Sequence, residues 1–165
     1  MDEPLASLSL TGGCTCRFVR YRLAADPMFV HCCHCTWCQR ETGSAFALNA
    51  LLESEHVMLE HGEVEHLDTP SASGRGQQIV RCPRCRVALW SHYPGMGNRV
   101  AFVRVGTLDE PSRVRPDIHI YVASKQPWIV LPEDARQVPE YYRTSEEWPP
   151  ESLARLKKVR ESRSA

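Results

Sequence analysis

The sequence predicts a mainly β fold with few short helices, organised around bound metal. Three observations point there: short apolar runs with the two-residue period of strands, turn signals between them, and eight cysteines gathered into close pairs and one tight loop.

Across residues 17–23, Val19, Tyr21 and Leu23 share one parity while Arg20 and Arg22 share the other, the pattern of a half-exposed strand. Further candidate strands cover 46–51, 57–59, 78–81, 88–91, 99–105 and 118–122. The stretch "RVAFVRV" (99–105) is apolar on both parities, which predicts burial between two layers. Turn signals separate the runs: Gly12-Gly13, Gly43-Ser44, His61-Gly62, Gly74-Arg75-Gly76 and the loop from Pro94 to Asn98. A short helix begins near Cys38. A terminal one follows Pro149-Pro150, where Leu153, Leu156 and Val159 recur at threes and the prolines suit a helix entry. Its charged run "RLKKVRESR" reads as a solvated face with a fraying end. The expected organisation is an N-terminal extension over 1–11, one zinc-binding β domain over 12–145 and a charged, helical tail over 146–165.

Lysine plus arginine equals aspartate plus glutamate at 20 each, so nothing in the net charge points to a nucleic-acid groove or an anionic membrane surface, while a locally basic patch stays open. The N-terminus is acidic where a secretory leader is basic, and no run approaches the ~20 apolar residues of a spanning helix. A cytoplasmic location in a reducing compartment is the expectation, and there cysteine clusters hold metal or do chemistry. At 165 residues the chain can bury a core without disulfide staples.

Cys14 and Cys16 form a C-x-C pair, and Cys82 and Cys85 a C-x-x-C pair. Two such pairs at strand ends can supply the four corners of a closed, structural zinc site. Gly12 and Gly13 permit a sharp turn before Cys14, and Pro83 fixes the bend inside the second pair. Cys33, Cys35 and Cys38 differ, because one local loop offers three thiolates and leaves the fourth position open, as in catalytic zinc sites. Cys32, adjacent to Cys33 on an extended segment, points to the opposite side, toward the core. His34 points away from the metal for the same reason, and a hydrogen bond or surface role is expected of it. His31, His56, His61, His66, His92 and His119 have no ligand spacing and are assigned no metal. The spacings do not match ferredoxin runs. The C-x-x-C from Cys35 to Cys38 lacks the βαβ setting of a dithiol oxidoreductase, and the neutral charge disfavours a nucleic-acid zinc ribbon.

The segments "GGCTCRFVRY", "CHCTWCQRETGSAF", "CPRC" with "LWSHYPG", and "IHIYVASKQPWIVLP", in that order, resemble the glutathione-dependent formaldehyde-activating enzyme family, to which centromere protein V is related. The resemblance runs from about Gly12 to Tyr142 and implies an Mss4-like β-tent with two zinc ions. It implies a structural zinc on Cys14, Cys16, Cys82 and Cys85, and a catalytic zinc on Cys33, Cys35 and Cys38. The implied activity is a carbon–sulfur lyase-type reaction joining a small thiol such as glutathione to an aldehyde such as formaldehyde, giving S-(hydroxymethyl)glutathione. Neither nucleic acid nor membrane is an expected partner. The alternative is a non-catalytic zinc-binding interaction module, which the neutral charge and the lack of low-complexity arms disfavour. Cys32 departs from the usual motif. Residue 86, glycine in many members, is arginine here, implying an unstrained turn behind Cys85. Lys125 and Trp128 match a terminal motif of the family; both a pocket border and ordinary loop packing suit them, and neither is assigned to the site.

Overall fold

The computed structural model describes residues 9–162; residues 1–8 of the expected N-terminal extension and 163–165 of the expected tail lie outside them. Ten strands form two sheets. The smaller contains β1 (Leu10–Gly13), β2 (Arg20–Leu23) and β5 (Val57–His61), in the order β1-β2-β5. The larger contains β3 (Phe29–Cys33), β4 (Ala47–Glu53), β6 (Glu65–Thr69), β7 (Gln77–Arg81), β8 (Ala88–Tyr93), β9 (Gly97–Arg104) and β10 (Ile118–Ile120). Its order is β10-β3-β4-β9-β8-β7-β6, and every neighbour is antiparallel except β10 beside β3. The helices are α1 (Thr36–Thr42), α2 (Thr144–Glu147) and α3 (Pro150–Glu161). The mainly β expectation holds.

The larger sheet is covered on both faces, which accounts for the doubly apolar run in β9. Ala101 and Val103 join Ala50 and Leu52 of β4 in a core shared with Leu10, Tyr21 and Leu23 of the smaller sheet. Val100 and Phe102 turn the other way, joining Leu51, Phe29 and Ile120 under Tyr142, Trp148 and Leu156 of the C-terminal segment. Side chains alternate along each strand, so one strand feeds both cores.

Three strands escape the sequence pattern for physical reasons. The β3 segment is buried at all five positions and carries His31, Cys32 and Cys33, so it shows no polar alternation. The β6 segment is a polar edge strand with no fully buried residue. In β1 the two glycines belong to the strand rather than to a turn. A Cβ on Gly13 would lie 2.2 Å from the Val19 carbonyl oxygen, and one on Gly12 would lie 2.6 Å from that of Thr107. These glycines permit close backbone approach just before Cys14.

The terminal helix forms as expected and docks on the sheet. Leu156 is buried, Ser152 Oγ donates to the Met28 carbonyl at 2.5 Å, and Arg155 grips Glu53 with Nε at 2.8 Å and Nη2 at 2.5 Å. Lys157 and Lys158 remain exposed, as the charge run implies. Burial alone would push the Glu53 carboxyl up, but the hydrogen bonds from Arg155 outweigh it and hold the group below its ordinary range. A depressed carboxyl contributes stability above its unfolded pKa and loses it as pH falls through the folded value. Glu53→Gln is expected to lower stability by about 1–2 kcal/mol at pH 7, with the difference from wild type closing as pH falls through the depressed value. Urea unfolding of both proteins across that range measures it.

Candidate metal centres and the adjoining cavity

Cys14, Cys16, Cys82 and Cys85 converge, with their sulfurs all within 4.8 Å of one another. Cys14 Sγ lies 3.5 Å from Cys16 Sγ, which lies 3.7 Å from Cys82 Sγ. A tetrahedral zinc with bonds of about 2.3 Å needs sulfur separations of about 3.8 Å, so these four residues fit such an ion.

The two pairs are built alike. Cys14 N–H donates to the Val19 carbonyl and Arg17 N–H to that of Cys14, both at 3.1 Å. In the second pair, Cys82 N–H donates to Val87 at 3.1 Å and Arg86 N–H to Cys82 at 3.0 Å. Val19 N–H also reaches Cys14 Sγ at 3.2 Å, satisfying a thiolate lone pair. Each turn closes on an arginine in the left-handed region, Arg17 at φ 62° and Arg86 at φ 64°. The expectation of an unstrained turn behind Cys85 is therefore corrected: Arg86 adopts the conformation glycine favours, at a cost of about 1–2 kcal/mol.

Cys33 ends β3, and Cys35 caps α1, its sulfur accepting the Cys38 N–H at 3.3 Å. Gly43, at φ 63°, ends that helix. The sulfurs of Cys33, Cys35 and Cys38 lie within 4.8 Å of one another, so this trio too can hold a metal ion. Hydrogen bonds from the Cys33 and Cys38 thiols, helped by the backbone N–H groups of Cys38 and Trp37, push the Cys35 thiol well down. The Cys33 thiol is pushed up by its Cys35 and Cys38 neighbours and by burial.

All three cysteines line a cavity of about 490 Å³, a size suited to a small organic ligand. Five aromatic side chains, Trp37, Tyr93, Phe102, Tyr121 and Tyr141, are among the residues that line it. Tyr121 sits at φ 54°, a strained backbone held at the cavity wall. His31 and Arg104 add polar groups that the sequence reading left unassigned. Burial, and then the charge of Arg104, push His31 down to about 3, so it is neutral at physiological pH. Arg104 is 8% exposed, donating to Asn49 Oδ1 at 2.7 Å and Ser91 Oγ at 3.4 Å. Its Nε is buried without a partner among the described residues. Both residues had a sequence signal: His31 shares the parity of Cys33, and Arg104 is the charged interruption inside an apolar run.

A family description, glutathione-dependent formaldehyde-activating enzyme, matches residues 9–124, the span that contains every cysteine above. The chain belongs to that family. No curated protein matches it. A Rhodobacter sphaeroides protein of known crystal structure is similar at a TM-score of 0.45, with 16% identity over 64% of this chain and 91% of that one. The family's Mss4-like mainly β architecture agrees with the two sheets and short helices found here.

Lys125 and Trp128 do not line the cavity. Lys125 Nζ ties its own loop, donating to the carbonyls of Gln126 at 3.3 Å and Ile129 at 2.5 Å, while Trp128 is exposed. Among the described residues no helix is long and apolar enough to cross a membrane.

The strain at Arg86 is testable. Arg86→Gly surrenders only an exposed ion pair with Glu65 and is expected to stabilise the metal-loaded protein by about 0.5–1 kcal/mol. Chemical denaturation at constant zinc reads the change.

Proposed function

We propose that this chain is a zinc-dependent, carbon–sulfur lyase-type enzyme acting on a thiol–aldehyde adduct, joining glutathione to formaldehyde as S-(hydroxymethyl)glutathione. The observation that carries this reading is the trio Cys33, Cys35 and Cys38 on the wall of the aromatic cavity. A loop offering three thiolates leaves a tetrahedral ion one position, and the cavity is where a ligand would reach it. The set Cys14, Cys16, Cys82 and Cys85 fills all four positions of a second zinc and serves structure alone.

Cys33, Cys35 and Cys38 would hold the zinc, which would act as a Lewis acid that favours the ionised form of an incoming thiol. The chain's own residues do the rest. Arg104, buried without a carboxylate partner among the described residues, offsets the charge of three thiolates around a divalent ion. Tyr93, Phe102, Tyr121 and Tyr141 give the reacting pair apolar surroundings. In the addition, the carbon–sulfur bond forms as the carbonyl π bond opens, and the proton lost by the thiol ends on the new hydroxyl oxygen. Burial pushes the hydroxyls of Tyr121 and Tyr141 up, so both stay protonated at neutral pH and can donate to that oxygen.

Because thiolates add to formaldehyde unaided, the decisive measurement is the rate above the uncatalysed background. Cys35→Ser is expected to remain folded, retain the four-thiolate ion and fall to background, a loss of at least ~100-fold; an undiminished rate would overturn the reading. Arg104→Met is expected to weaken zinc retention at the three-thiolate loop by about 10-fold, read by chelator competition.

A further inference from the structure

Alternation along β3 sends Cys32 to the face opposite Cys33, as expected, and the chain continues extended so that His34 follows Cys32. The parallel register of β10 pairs Ile118 with His31, His119 with Cys32 and Ile120 with Cys33. His119 therefore sits beside Cys32, on the face turned away from the cavity that Ile120 lines. Three donors from two adjacent strands converge there, with one ligand atom from each within 4.8 Å of the others. The sequence reading assigned no metal to His34 or His119, which lie 85 positions apart and meet only through this pairing.

We propose that Cys32, His34 and His119 form a further metal site that takes a borderline-soft divalent ion, zinc in particular, and clamps β10 to β3. One thiolate and two imidazoles are a donor set that suits such ions, whereas hard cations prefer oxygen. His34 Nε2 and His119 Nδ1 stand 3.0 Å apart. Two nitrogens on a tetrahedral zinc would stand about 3.3 Å apart, so little movement is needed. Cys32 is 2% exposed and His34 fully buried, and His34 Nδ1 has no hydrogen-bond partner among the described residues. The His34 nitrogen that faces His119 is Nε2, so an ion bound there would take the place of the His34–His119 hydrogen bond and leave Nδ1 as it stands.

The backbone around the donors is already fixed. His34 N–H donates to the Ile120 carbonyl at 3.0 Å, and the His34 carbonyl accepts from Gln39 Nε2 at 2.8 Å and Ser124 Oγ at 3.0 Å. His119 N–H donates to the Arg136 carbonyl at 2.8 Å, and its own carbonyl accepts the Val138 N–H at 3.0 Å. Supports of this kind orient ligands before an ion arrives. None of the three donors lines the cavity, so the site is structural. What it holds in place is the three-residue edge strand that delivers Ile120 and Tyr121 to the cavity wall. The donor set stands without reference to the proposed activity; one supporting point rests on that reading. A divalent ion with one thiolate carries a net positive charge, and it would sit across β3 from a three-thiolate centre of net negative charge.

The test is the metal content of the full-length chain, saturated with zinc and then freed of loose ion, for wild type, Cys32→Ala, His119→Ala and Cys35→Ser. Wild type is expected to hold one zinc more than either Cys32→Ala or His119→Ala. Loading with cobalt should show the same missing ion as the loss of a tetrahedral absorption band. Equal zinc content in wild type and both variants overturns the proposal. His119 is only partly buried, so His119→Ala decides the matter if Cys32→Ala does not fold. Failure of the catalytic reading would show separately, as turnover unchanged in Cys35→Ser, and would leave the difference at Cys32 and His119 intact.

Discussion

The arrangement of chemistry in this protein depends on a strand covered by protein on both faces. Because β3 lies second from the edge of a doubly covered sheet, consecutive residues cannot share an environment. His31 and Cys33 are delivered to the cavity, Val30 and Cys32 to the opposite side. A one-residue slip of β3 against β4 would exchange the two sets, placing Cys32 where Cys33 must stand. The register pairs Phe29 with Leu51 and Cys33 with Ala47, and near its start β3 is also tied to Asp117, whose carboxylate accepts the Val30 N–H at 2.8 Å.

The same constraint explains what the sequence discloses and what it withholds. Spacing alone assembles the two cysteine centres, since C-x-C, C-x-x-C and the loop from Cys33 to Cys38 leave few other geometries. The doubly apolar run of β9 announces a central strand with two covered faces, and Leu153, Leu156 and Val159 announce α3. The β3 segment is silent because burial on both sides removes the polar alternation that marks a strand. His119 is silent for a different reason: its partners are set by strand pairing across a long stretch of chain, and no local pattern records which residue of β10 will face Cys32.

Electrostatics bind the cavity to the fold. Arg104 is buried in the central strand and hydrogen-bonded to Asn49 on one neighbour and Ser91 on the other. An isolated buried guanidinium is costly, and its charge acts on the nearby Cys38 thiol. The neutral His31 and the protonated tyrosines follow from the same low-dielectric enclosure. Tyr121, on the cavity wall, is held in the left-handed region, so strained backbone lies at the site itself.

The three-cysteine loop and the four-cysteine cluster also differ in how far apart their members lie along the chain. Cys33, Cys35 and Cys38 span six residues, so a disordered chain can gather them around an ion at almost no entropic penalty. Cys16 and Cys82 are 66 positions apart, and their meeting requires closure of a long loop. An ion met by the unfolded chain would therefore be gathered most readily by the three-cysteine loop, while the four-cysteine cluster would form only once the long loop between Cys16 and Cys82 has closed.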